Sequence, residues 1–185
     1  MSANIVRLSK YLSLVLRHQP GKIGLRLDGQ GWAEVDALLA GCNQAGVAID
    51  LPTLQAVVAQ NDKQRFSFSP DGTRIRANQG HSIKVDLGLA PRQPPERLYH
   101  GTAARFLEAI RLQGLLPGRR QHVHLSLDEA TALKVGGRHG LAVVLTVLAG
   151  QMWSDGLPFY LSENGVWLAE RAPVQYLVFP PMPGQ

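Results

Sequence analysis

A chain of 185 residues with a single cysteine, Cys42, has no internal disulfide framework and no zinc site built on several thiolates. Cys42 reads as a core residue of the second helical region, with no redox role. Long apolar runs are also missing. The longest, residues 141–149, has the length of a buried strand rather than of a membrane span. The opening stretch MSANIVRLSKYLSLVLRHQP has neither the long apolar core nor the small-residue cleavage site of a secretory signal. A soluble cytoplasmic protein with no membrane partner is therefore expected. Charged residues make up only 18%, so there is no polybasic tail. The phosphate-loop patterns GxGxxG and GxxxxGK[ST] are absent, as are HExxH and GxSxG. These gaps weaken the familiar nucleotide-binding, zinc-protease and serine-hydrolase readings. Internal repeats and low-complexity segments are lacking too.

What is present is a globular composition, 45% apolar, with a formal net charge of +5. A modest basic excess of this kind suits an anionic partner, such as nucleic acid or a phosphorylated ligand. The excess is uneven. Residues 1–94 carry 11 Lys/Arg against 7 Asp/Glu, and residues 95–185 carry 8 against 7. Between the halves runs Gly88-Leu-Ala-Pro-Arg-Gln-Pro-Pro95. Its prolines remove backbone donors and force extended geometry, so it reads as a linker between domains 1–90 and 91–185.

The first half opens with apolar Leu8, Leu12, Val15 and Leu16 on one helical face, ending near His18 because Pro20 and Gly21 follow. Residues 32–40 and 51–60 read as two further helices. Residues 65–68 and 73–77 alternate around the turn Ser-Pro-Asp-Gly72 and read as a β-hairpin. Three helices and a hairpin outline a winged helix. The second half reads as a compact α+β unit with more strand than helix. Strands are expected at 98–102, 123–126, 141–148, 166–169 and 175–179, with helices at 104–113 and 128–135.

The candidate chemistry lies in Arg and His residues at element ends. Arg17 and His18 close the first helix, where cations complement the negative end of the dipole; they also make a fork of donors for phosphate. Arg74 and Arg76 flank the inward-facing Ile75 and share the other face of the hairpin. Arg74 reads as part of a solvated strand face. Arg76 runs into Asn78-Gln-Gly-His81-Ser82, a donor-rich stretch that a surface turn explains equally well. His100-Gly101-Thr102 sits between a strand and a helix, where glycine permits close backbone approach, although a turn with a capping Thr accounts for it too. The densest cluster is Arg119-Arg120-Gln-His122-Val-His124-Leu-Ser126. His122 and His124 project from one side of a strand. They have no evident third ligand, His139 being a poor one, so no metal is expected. Lining of a polar site and ordinary structural histidines remain the alternatives.

Three stretches together, LSKYLSLVLRHQP, IRANQGHSIKVD and LYHGTAARFLEAIRLQGLLPGRRQHVHLS, resemble the RNA 2′-phosphotransferase family, the NAD-dependent enzymes of the tRNA-splicing type. The resemblance extends over roughly residues 5–180. It implies an α+β protein with an N-terminal winged-helix-like lobe, a C-terminal lobe of the ADP-ribosyltransferase fold, and a cleft between them. In that family an Arg-His-Arg-Arg set carries the reaction, and it maps onto Arg17, His18, Arg76 and Arg120, with Arg119 the neighbour most easily mistaken for Arg120. His100, Gly101 and Thr102 match the element that holds NAD. His122, His124 and Ser126 join it as NAD-binding candidates. Arg17, His18, Arg74, Arg76, His81 and Ser82 are the RNA-binding candidates. The transferase superfamily often has a catalytic glutamate late in its domain. Nothing here matches it, in keeping with a family whose nucleophile is already an anion.

The implied reaction consumes NAD and needs no metal. An internal RNA 2′-phosphate attacks the anomeric carbon of the nicotinamide ribose, with oxocarbenium character there, and nicotinamide leaves. The ribose 2″-hydroxyl then attacks phosphorus and releases 2′-hydroxyl RNA and ADP-ribose 1″,2″-cyclic phosphate. Arginines offset the repulsion between two anionic reactants. The expected partners are tRNA-like RNA and NAD, and the chain is expected to act as a monomer. Rival readings are an enzyme of the same fold that modifies a terminal nucleic-acid phosphate or a small acceptor, a winged-helix binder with an inert second half, and a zinc hydrolase.

Overall fold

The computed structural model describes residues 3–61, 63–137 and 140–181. Helix and sheet are mixed throughout, as an α+β chain requires, and the chain divides into two compact units, Met1–Gly88 and Leu89–Gln185. Among the described residues no helix is long and apolar enough to cross a membrane.

The first unit begins with α1 (Ala3–Arg17), whose buried face is Leu8, Leu12, Val15 and Leu16, the spacing its sequence dictates. The helix stops where Pro20 starts a 3-10 turn, Pro20–Ile23, which Gly24 closes in the left-handed region at φ +65°. A short strand β1 (Ala33–Glu34) leads directly into α2 (Val35–Gln44). Helix α3 (Leu51–Ala59) is capped by the Asp50 carboxylate, which accepts from the Thr53 backbone N–H; hydrogen bonding from the Thr53 side chain and then its backbone holds Asp50 below the usual aspartate pKa. Strands β2 (Phe66–Phe68) and β3 (Arg74–Ala77) form the hairpin. The antiparallel sheet has the order β1-β3-β2, with Ile75 opposite both Ala33 and Phe68. All three helices and the sheet bury their apolar faces in one core, which includes Leu38, Cys42, Leu54, Val57 and Ile75.

One helix is displaced from its expected position. The pattern of residues 32–40 predicts a helix from Trp32, but α2 starts at Val35. The backbone N–H of Trp32 is held by Asp28 Oδ1 at 2.9 Å, and Ala33 and Glu34 pair with β3. Strand pairing thus claims residues whose local propensity is helical.

The second unit contains β4 (Leu98–Ala103), a 3-10 turn at Ala104–Phe106, α4 (Leu107–Gln113), β5 (Val123–Leu125), α5 (Glu129–Gly136), β6 (Ala142–Val147), α6 (Ala149–Ser154), β7 (Phe159–Leu161), β8 (Trp167–Ala169), a 3-10 turn at Val174–Tyr176 and β9 (Leu177–Val178). The expected helix over 104–113 is therefore α-helical only from Leu107. Two three-stranded antiparallel sheets result, ordered β4-β6-β9 and β5-β8-β7. Backbone hydrogen bonds between Tyr99 and Ser126 join the first sheet to the end of β5. Both sheets share a core around Leu98, Leu125, Leu145, Phe159 and Met152. Helix α6 and strand β7 were not expected. They are six and three residues long, and α6 has no side-chain cap, so neither carries enough periodicity to read from sequence.

Candidate active-site residues

In the first unit the polar residues of α1's end and of the segment after β3 converge. Arg17, the last residue of α1, is only 9% exposed, and its guanidinium carbon lies 6.0 Å from the centroid of Phe66. Arg76 on β3 is 8% exposed, and its guanidinium lies 4.5 Å from the Trp32 ring centroid. Arg74 shares that ring at 5.5 Å and pairs with Asp28 at 3.5 Å. The two arginines lie on one face of the hairpin with Ile75 on the other, as the alternation predicts. Stacking on an aromatic face suits a guanidinium, because the ring quadrupole attracts it without neutralising it.

His81 stands at the centre of this cluster. It is 2% exposed, and neither ring nitrogen has a hydrogen-bond partner among the described residues. Burial, and then the positive charges of Arg17, His18 and Arg76, push its pKa from 6.5 down to about 4. The ring is therefore neutral near pH 7. The buried guanidiniums of Arg17 on α1 and Arg76 on β3, with the exposed His18 ring just past α1, thus act on one neutral imidazole. Gathering like charges in a buried place is unfavourable by itself, and a polyanion such as a phosphate reverses that balance. Ser82 ties the cluster to the helix end. Its backbone N–H donates to the Arg17 carbonyl at 3.0 Å, and its hydroxyl lies 2.9 Å from His18 Nδ1.

In the second unit the candidates line the β4–β5 region. His100, Gly101 and Thr102 lie inside β4, opposite Leu145, Val144 and Val143. Thr102 is a buried strand residue rather than a cap, since the turn that follows is preceded by Ala103 and has no side-chain cap. Gly101 has a packing reason to be glycine: a Cβ there would overlap the Ala132 carbonyl of α5. The close approach this glycine permits is therefore of helix to strand. His100 Nδ1 lies 3.0 Å from the His124 carbonyl, and burial lowers its pKa despite that bond. Arg120 is exposed in the turn before β5, and its guanidinium reaches His124 Nδ1 at 2.9 Å. Arg119 is exposed beside it. His122 meets Tyr160 edge-to-face at 5.7 Å, and burial lowers its pKa as well. Ser126 is fixed through its backbone pairing with Tyr99. His139 lies outside the described residues. Among the described residues no three His, Cys, Asp or Glu side chains form a group that can hold a metal ion.

Trp32 is the residue that sequence reasoning missed. It was read as the first residue of a helix, yet it carries both hairpin arginines. The signal for it was the turn-rich Asp28-Gly-Gln-Gly-Trp32, where Gly31 adopts φ +82° and its missing Cβ faces His81 Nε2.

A model of the "RNA 2'-phosphotransferase, Tpt1 / KptA family" matches residues 3–171. The chain is 61% identical over 169 residues to a probable RNA 2′-phosphotransferase of Agrobacterium fabrum, covering 91% of each chain. It is 53% identical over 180 residues to a probable RNA 2′-phosphotransferase of Flavobacterium johnsoniae, covering 97% of this chain and 99% of the relative. A third, from Pseudomonas aeruginosa, is 57% identical over 170 residues, covering 91% and 93%. The match runs through both clusters, from Arg17 to Ser126, and the chain belongs to the RNA 2′-phosphotransferase, Tpt1/KptA, family of transferases.

Proposed function

We propose that this chain removes an internal 2′-phosphate from RNA by transferring it to NAD. The gathering of Arg17, His18 and Arg76 around the neutral His81 carries this reading. It supplies what a dianionic phosphate needs: donors fixed before the ligand arrives, so that little reorganisation accompanies binding. On this reading the first unit, of winged-helix type, holds the RNA 2′-phosphate and its flanking backbone, with Arg74, His81 and Ser82 around it. The second, of ADP-ribosyltransferase type, holds NAD. Its β4–β5 region fits a dinucleotide in donor chemistry. Arg120 offers a fork for phosphate or ribose oxygens, and His100, His122, His124 and Ser126 add polar groups on and beside the neighbouring strands β4 and β5.

NAD supplies an electrophilic anomeric carbon and nicotinamide as leaving group. Arg17, His18 and Arg76 orient a phosphate oxygen for attack there, giving 2′-phospho-ADP-ribosylated RNA. Arg120 steadies the transferring phosphate while the ribose 2″-hydroxyl attacks phosphorus. Its larger role is therefore in the second step. The products are 2′-hydroxyl RNA, ADP-ribose 1″,2″-cyclic phosphate and nicotinamide. The chain works in the cytoplasm, as a monomer and without a metal.

The test is a short RNA with one internal 2′-phosphate, incubated with the protein with and without NAD and in the presence of a chelator, and followed by mass. NAD-dependent loss of the phosphate together with nicotinamide release is the expected result. NAD consumption with the RNA intact moves the acceptor to another group, such as a terminal nucleic-acid phosphate. No change in either reactant overturns the reading.

A further inference from the structure

His18 and Ser82 are 64 residues apart in sequence, yet the Ser82 hydroxyl lies 2.9 Å from His18 Nδ1. The same serine donates its backbone N–H to the carbonyl of Arg17 at 3.0 Å. One residue thus engages both neighbours at the end of α1. The backbone bond satisfies a carbonyl that the helix itself leaves open, and it fixes where the short serine side chain sits. Gly80, at φ +88°, supplies the left-handed turn that brings this segment back to the helix.

The choice of a hydroxyl has a chemical consequence. A hydroxyl both donates and accepts. Donating to Nδ1 of a neutral ring, it leaves the ring proton on Nε2. When the ring is charged, Nδ1–H donates to the hydroxyl instead, and Nε2 keeps its proton. A carbonyl or carboxylate in the same place only accepts, and it would draw the proton of a neutral ring onto Nδ1. With serine, Nε2 is a donor in the charged ring, and in the neutral ring whenever the hydroxyl donates to Nδ1. From this geometry we infer that Ser82 is a positioning residue, holding the His18 ring through Nδ1 so that Nε2–H is the group that meets the RNA phosphate. The inference rests on His18 being a phosphate-binding residue. It gives Ser82 a role through His18, beyond any contact of its own with RNA.

The experiment compares the full chain with Ser82→Ala and Ser82→Thr. Both variants keep the backbone bond to Arg17, and Ser82 is exposed, so both are expected to fold. The first measurement uses no RNA and no NAD. Long-range ¹⁵N–¹H correlation spectra, assigned against His18→Gln, report which His18 nitrogen carries the proton. The natural chain and Ser82→Thr are expected to show the Nε2–H form, and Ser82→Ala a mixture of tautomers. The second measurement is single-turnover removal of the RNA 2′-phosphate. Ser82→Ala is expected to slow it about tenfold, the size usual for a residue that orients a working histidine, with KM for NAD unchanged and with Ser82→Thr restoring the rate. An unaltered His18 signature in Ser82→Ala overturns the inference, as does a threonine variant no better than alanine. Absence of phosphate removal by the natural chain would count against the proposed function, whereas the ring spectra decide the role of Ser82 by themselves.

Discussion

In the first unit Arg17 and Arg76 are buried against aromatic rings, whereas in the second Arg120 is exposed, with its guanidinium reaching His124 Nδ1. The histidines differ in the opposite direction. Among the described residues His81 has no hydrogen-bond partner for its ring, while His100 is anchored to the His124 carbonyl. A buried guanidinium stacked on a ring has lost most of its rotamer freedom before any ligand arrives, so its donors are already in place. An exposed arginine keeps more of that freedom and pays its ordering when a ligand binds. The first cluster is thus built to bind one rigid, highly charged group. The second is able to follow a group that changes position, as the proposed two-step transfer requires.

Arg76→Ala should break this contrast most severely. Removing a preorganised charge from the phosphate site is expected to lower single-turnover phosphate removal by about a thousandfold, with NAD binding by titration calorimetry largely kept. Equal loss of both would make Arg76 structural.

The next effect is on stability. The folded pKa of His81, about 4, lies below its ordinary 6.5. On acidification the unfolded chain therefore takes up a proton that the folded chain refuses. Stability present above pH 6.5 is lost as the pH falls toward 4, by about 3 kcal/mol in all. Urea melts across that window should show the loss, and His81→Gln should flatten it relative to the natural chain. An identical slope in both would place the acid sensitivity elsewhere.

Arg120→Ala is expected to slow the second transfer about a hundredfold, so that phospho-ADP-ribosylated RNA accumulates on a denaturing gel. Arg120→Lys should recover part of that rate, because an exposed cation need not stack, whereas Arg76→Lys should recover little. Equal rescue at both positions would remove the distinction between the clusters. The smallest effect belongs to Trp32→Leu. It removes the ring under Arg76 but leaves the charge, and a roughly tenfold rise in the Kd for 2′-phosphorylated RNA is expected. An unchanged Kd would show that burial alone holds Arg76.

Much of the fold is legible in the sequence, and the exceptions follow a pattern. The α1 face, its end at Arg17, the α3 helix and the hairpin were readable because each is set by local periodicity, a cap or a turn. The shared face of Arg74 and Arg76 follows from strand alternation, which needs no knowledge of the rest of the chain. The short α6 and β7 were not readable, because so few residues carry no period. Trp32 was misread because its neighbours Ala33 and Glu34 are held in a strand by β3, some forty residues away. That Gly101 also answers to packing, with the Ala132 carbonyl where a Cβ would lie, is invisible in the sequence.

By itself the sequence determined which residues carry charge and donors, and in what order along the chain. It also determined the family, because three long ordered motifs and the match over residues 3–171 depend on order alone. Only the tertiary structure decided that Arg17, His18, Arg76 and His81 share one place, that Trp32 supports two arginines, and that Ser82 meets His18. Those contacts join residues distant in sequence, and burial, which sets the charge state of His81, is a property of the packed chain and not of any single segment.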